Sequence, residues 1–158
     1  MIRLSKVKNA NDIFNISGDF GHLCGELQKS ENGYEYIGEK FSLNITETEY
    51  DFGVVMRKAY ITCTKDKITL TNASQRFCFD GGEYEVYTQY CGWCNESNGE
   101  FQPLVTSVTA QSKGIRSNFG ATPFAVLWNL QSGRGTAFHL ITNSAWKISF
   151  TNTPDIKR

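Results

Sequence analysis

Tyr84-Glu85-Val86-Tyr87-Thr88 sets Tyr84, Val86 and Thr88 in one phase and Glu85 and Tyr87 in the other. That period of two belongs to a β-strand with one face on a core, because successive side chains of an extended chain point to opposite sides. The same alternation recurs in Lys67-Ile68-Thr69-Leu70-Thr71 and in Trp146-Lys147-Ile148-Ser149-Phe150. Each run has the length of a strand and is too short for a helix. The apolar stretches are dominated by Val, Ile, Thr, Phe, Tyr and Trp, the branched and aromatic residues that suit a pleated, half-buried surface.

Turn signals separate the runs: Asn32-Gly33, Lys65-Asp66, Asp80-Gly81-Gly82, Ser97-Asn98-Gly99 and Ser132-Gly133-Arg134-Gly135. No stretch sustains the i, i+3, i+4, i+7 apolar spacing with caps, so a parallel sheet wrapped in helices has no support. The expectation is an all-β chain folded as an antiparallel β-sandwich over residues 1–150, with residues 151–158 as a polar tail or the start of a linker.

The chain has 158 residues, enough to bury roughly two thirds of the surface its unfolded form exposes. Its 16 Lys and Arg balance 16 Asp and Glu. Phosphates therefore meet no basic surplus and anionic membranes no sustained field, so neither nucleic acid nor membrane is expected as a partner. Charged residues at Met1-Ile2-Arg3-Leu4-Ser5-Lys6-Val7-Lys8 precede no apolar leader, and the reading is a soluble, cytoplasmic protein. In such a protein five cysteines, an odd number, favour reduced thiols. The sequons beginning at Asn15, Asn44, Asn72 and Asn95 then read as β-rich surface sequence.

Several constellations carry potential chemistry. Cys91-Gly92-Trp93-Cys94 has the spacing of a redox or zinc pair. The redox form needs a helix N-terminus to lower the first thiol's pKa, whereas Asn95-Glu96-Ser97-Asn98-Gly99 reads as a turn. Zinc needs further ligands at defined spacing, and Cys24, Cys63, Cys78, His22 and His139 supply none. The pair is read as structural thiols, and no metal or cofactor is expected. His139 reads as a strand histidine and His22, beside Asp19, as a histidine near a glycine-rich turn where a ligand has room to approach the backbone. Asp19, Glu26, Glu83, Glu85 and Glu96 offer carboxylates, but no pair of them is placed at the separation glycoside hydrolysis needs. Trp128 and Trp146 are expected in the core, and Trp93 is open to a core or a sugar-stacking role.

From about Phe77 to Phe150 the order of features resembles the N-terminal domain of glycoside hydrolase family 36, whose members are mostly α-galactosidases. The segments are Gly92-Trp93 with Glu96, Ile115-Arg116-Ser117-Asn118-Phe119-Gly120, Thr122-Pro123-Phe124, and Gly133-Arg134-Gly135-Thr136-Ala137-Phe138-His139-Leu140 leading to Trp146. Nearer the start, Ser17-Gly18-Asp19-Phe20-Gly21 is similar to the family's Asp-aromatic segment, although Gly21-His22 stands where the family usually has arginine. The resemblance implies a supersandwich of the galactose-mutarotase kind, with Asp19 and Trp93 as substrate-binding residues and no catalytic residue. It also implies a separate C-terminal (β/α)8 catalytic domain, α-galactoside sugars as ligands, and a homo-oligomer. The expected function is a non-catalytic N-terminal domain of an α-galactosidase-like hydrolase, supporting oligomerisation and part of the sugar pocket. The alternative is a free-standing carbohydrate-binding β-sandwich module.

Overall fold

The computed structural model describes residues 14–22, 27–64, 67–92, 95–112, 120–141 and 145–152. Among the described residues, strands account for 71% and helix for 3%, so the fold is all-β, and every strand pairing there is antiparallel. Where the sequence drew no boundary inside 1–150, contacts divide the chain into two compact units, one ending at Cys78 and the other continuing from Phe79. Each has its own core.

The first unit contains β1 (Phe14–Gly18), β2 (Gly21–His22), β3 (Gln28–Ser30), β4 (Gly33–Ile37), β5 (Phe41–Tyr50), β6 (Val54–Cys63) and β7 (Leu70–Gln75). They form two sheets, in the orders β2-β1-β7 and β3-β4-β5-β6. Phe14 and Ile16 from one sheet and Phe41, Leu43 and Ile45 from the other make the core with Leu27. Two sheets joined through interdigitated inner faces are the packing of a β-sandwich. The inward alternation of β5 lapses beyond Ile45, and from Thr48 through the 3-10 turn Asp51–Gly53 to Val55 every residue is exposed.

One sequence-predicted strand is corrected here. Ile68 packs against the core, but β7 begins at Leu70 and all six of its residues are exposed, Leu70 at 41%. The strand lies at its sheet's edge, and the inward register positions opposite Phe14 and Ile16 hold polar Gln75 and small Ala73. Little apolar area remains there to bury.

The second unit contains β8 (Tyr84–Gly92), β9 (Asn95–Pro103), β10 (Ser107–Ser112), β11 (Gly120–Asn129), β12 (Arg134–His139) and β13 (Trp146–Thr151). Its sheets are β12-β11-β8-β9 and β10-β13. Val86, Ala125 and Leu127 of the larger sheet meet Val108 and Phe150 of the smaller, with Tyr84, Phe138 and Ile148 packed around them. Val86 is fully buried, and the phase read from Tyr84 to Thr88 is the phase observed. β13 likewise turns Trp146, Ile148 and Phe150 inward, and Trp146 is half-buried as its terminal position allows.

Two further expectations are revised. Ser97-Asn98-Gly99 lies inside β9 rather than in a turn, with Asn98 opposite Tyr90 and Gly99 opposite Gln89. Trp128 is outside the core, 36% exposed on the outer face of β11, because Ala125 and Leu127 occupy the inward phase of that strand. The turn at Leu130–Gly133 does form, closed by an Asn129 side chain that accepts from the Ser132 amide at 2.8 Å, with Gly133 in the left-handed region at φ 62°.

Candidate functional site

Asp19 occupies the turn between β1 and β2 and is exposed. Its amide donates to the Thr69 carbonyl at 3.1 Å, and the Thr69 amide donates to its Oδ2 at 3.1 Å. The carboxylate thereby takes the place of a backbone acceptor and extends the β1–β7 ladder past the register shift at Ser17/Gly18. Gly18 is needed for a local reason. A Cβ there would collide with the Thr69 carbonyl and the Phe20 ring, so what approaches this glycine is the chain itself. Phe20 in turn packs on Phe41, with ring centroids 4.8 Å apart, and ties the turn to the first core.

Of the remaining sequence candidates, Trp93, Cys94, Cys24 and Glu26 lie outside the described residues, as does the side chain of His22. Gly92 pairs with Asn95, and from Asn95 the chain runs as strand β9, so no helix dipole follows the pair. Cys63 and Cys78 are free thiols. Among the described residues, no three His, Cys, Asp or Glu side chains gather at one metal-binding position. His139 is exposed on β12, its ring edge-on to Phe124 at 6.5 Å.

The structure assembles a group of side chains that the sequence reading did not single out. On the outer face of the sheet β12-β11-β8-β9, the register places Trp128 opposite Gly135 and Tyr87 opposite both Val126 and Phe101. The Trp128 six-membered ring lies over Gly135, where a Cβ would come within 2.8 Å of it, and the Tyr87 ring lies over Gly99 in the same manner. An aromatic ring opposite a cross-strand glycine settles onto the backbone instead of standing upright, which protects the weak strand position. Phe101 is tilted 51° to Tyr87 at 5.1 Å and Phe124 stands at 76° to it at 6.5 Å. Tyr87 therefore forms a floor between two walls. The Thr122 hydroxyl donates to Gln89 Oε1 at 3.2 Å, and Gln89 Nε2 donates to the Tyr87 hydroxyl at 3.4 Å. That chain of polar groups borders the rings. The signal for this face was present in the out-of-phase residues of the very strand that decides the fold: Tyr87 between Val86 and Thr88, and Trp128 after Leu127.

Chemically, the Asp19 turn offers an acceptor at the end of a sheet, and the ring-bearing face offers stacking with neutral hydrogen-bonding partners at its border. Comparisons with protein-family models, with curated proteins and with solved structures find no match to this chain.

Proposed function

We propose that this chain is a non-catalytic β-sandwich domain of an α-galactosidase-like glycoside hydrolase, cytoplasmic, working beside a (β/α)8 catalytic domain within a homo-oligomer. In this reading Asp19 and Trp93 are each substrate-binding residues for the α-galactoside, and the domain supports oligomerisation and part of the sugar pocket of the catalytic barrel. The observation that carries it is the convergence of the resembling segments on one sheet. Thr122-Pro123-Phe124 lies in β11, Gly135 to His139 lies in the paired β12, and Gly92 ends β8 on the other side of β11. Phe124 stands directly opposite His139, and Gly120 opposite Cys91. Segments distant in sequence thus form one continuous surface, as a common role in shaping a pocket requires.

A second reading, a free-standing carbohydrate-binding module, is favoured by the rings on the outer face of that sheet, since they need no further domain to meet a sugar. Calorimetric titration with galactose and raffinose, beside a colorimetric α-galactosidase assay on the same preparation, separates the possibilities. The accessory-domain reading predicts no turnover by the chain alone and measurable hydrolysis once a catalytic barrel is supplied. Turnover by the isolated chain would overturn it, and tight binding indifferent to a barrel would favour the module.

A further inference from the structure

We infer that the outer face of β12-β11-β8-β9 is a binding site for a neutral oligosaccharide, with Trp128 and Tyr87 as stacking floors. This site is distinct from the Asp19 turn, belongs to the other unit of the chain, and rests on the carbohydrate-binding reading of these rings rather than on the α-galactosidase one. Three observations lead to it.

The first is ring orientation. Trp128 and Tyr87 lie against Gly135 and Gly99 on the neighbouring strands, Trp128 exposed and Tyr87 half-buried. A pyranose is bound through just such a contact, its apolar C–H face against a flat aromatic surface. Core aromatics are instead enclosed by side chains on all sides, whereas Trp128 is 36% and Phe101 54% exposed.

The second is the border chemistry. Gln89, Thr122 and the Tyr87 hydroxyl form a hydrogen-bonded series along one side, and Glu85 lies directly opposite Trp128 on the next strand. Hydroxyl groups need neighbours of this kind, able to donate and accept, in the plane of the stacked ring.

The third is charge. Among its described residues this face carries no lysine or arginine, and Glu85 is its acidic member. A single-stranded nucleic acid would need cations along its backbone as well as stacking rings, and an anionic lipid surface would need them too. A neutral, hydroxyl-rich ligand needs neither. The rings cross the sheet from Phe101 through Tyr87 to Phe124, at centroid separations of 5.1 and 6.5 Å. Trp128 and Tyr87 stand two register positions apart along the paired strands β11 and β8, so a linked chain of sugars can meet both floors where a single monosaccharide meets one.

The test is a titration of the full chain with maltotetraose, cellotetraose and mannotetraose, followed by tryptophan fluorescence and calorimetry. Saturable binding of at least one tetrasaccharide is expected, tighter than binding of its monosaccharide. Trp128→Ala and Tyr87→Ala should each weaken it about tenfold, while Phe52→Gly, an exposed position in the other unit, leaves it unchanged. Circular dichroism of each variant checks that the sheet is intact. If Trp128→Ala misfolds, Gly135→Ser supplies the alternative, since its side chain lifts the indole from the sheet and should weaken binding without removing the ring. No saturable binding to any tetrasaccharide would overturn the proposal, as would binding that survives both ring substitutions. Ring-dependent capture of oligothymidylate, or a Trp128-dependent dimer seen by light scattering, would also overturn it and assign the face to that occupant.

Discussion

Arg57 is the residue whose replacement most sharply tests the packing of the first unit. Its guanidinium, 7% exposed, donates from Nε to Glu47 Oε1 at 2.7 Å and ion-pairs through a terminal nitrogen at 2.5 Å. The other terminal nitrogen donates to the Arg76 carbonyl at 3.2 Å, and the group lies 4.3 Å over the Phe77 ring. One planar cation thus ties the β5–β6 hairpin to the segment that ends the unit.

Replacement by Leu keeps much of the apolar stem and removes the charge. A hydrogen bond to a charged group contributes about 1.5–3 kcal/mol. The ring contact adds about 0.5–1 kcal/mol. Glu47 is 34% exposed, so water re-solvates part of the orphaned carboxylate and the loss falls below the ~3–5 kcal/mol of a fully enclosed pair. The net expectation for Arg57→Leu is a loss of about 2–3 kcal/mol. Arg57→Lys should lose nearly as much, because a single ammonium cannot reach a carboxylate, a carbonyl and a ring face together. Urea unfolding followed by far-UV circular dichroism reads the change, and a cycle with Glu47→Gln isolates the pair's own share. Loss of less than ~0.5 kcal/mol in Arg57→Leu, or full recovery by Lys, would refute the clamp.

Leu43→Ala should cost about 2–5 kcal/mol in the same assay, since the side chain is fully enclosed between the two sheets of the first unit. Asp19→Ala should cost about 1 kcal/mol through the orphaned Thr69 amide, while Asp19→Asn keeps an acceptor oxygen and should unfold like the parent. Phe52 is fully exposed and held at φ 62°, ψ 20°, where a bulky side chain is strained and buries nothing in return. Phe52→Gly should therefore raise stability by about 1 kcal/mol in thermal unfolding, and a lowered midpoint would show that the ring has a contact that stabilises the turn.

The fold class was legible because alternation is a local property. Val86, Ile148 and Phe150 announce their inward phase within five residues of sequence, and the structure keeps it. What was not legible depends on partners far along the chain. Ser97-Asn98-Gly99 has the composition of a turn, yet a strand forms there because Tyr87 on the neighbouring strand covers Gly99. Trp128 looks like a core residue by type, but Ala125 and Leu127 claim the inward phase of its strand. Nor does any Gly- or Pro-rich linker mark the division after Cys78: Arg76-Phe77-Cys78-Phe79 is largely apolar, and Arg57 holds part of it. Asp19 could be picked out as a polar residue among glycines, but its partner Thr69 lies 50 positions away.

Saturation-transfer NMR of raffinose mixed with the purified full chain tests the central claim most directly, because it reads contact and turnover in one tube. The account predicts saturation of the galactosyl-ring protons, a loss of that signal in Asp19→Asn, and no free galactose accumulating over hours. An absence of transfer to raffinose, or the steady appearance of free galactose, would contradict it.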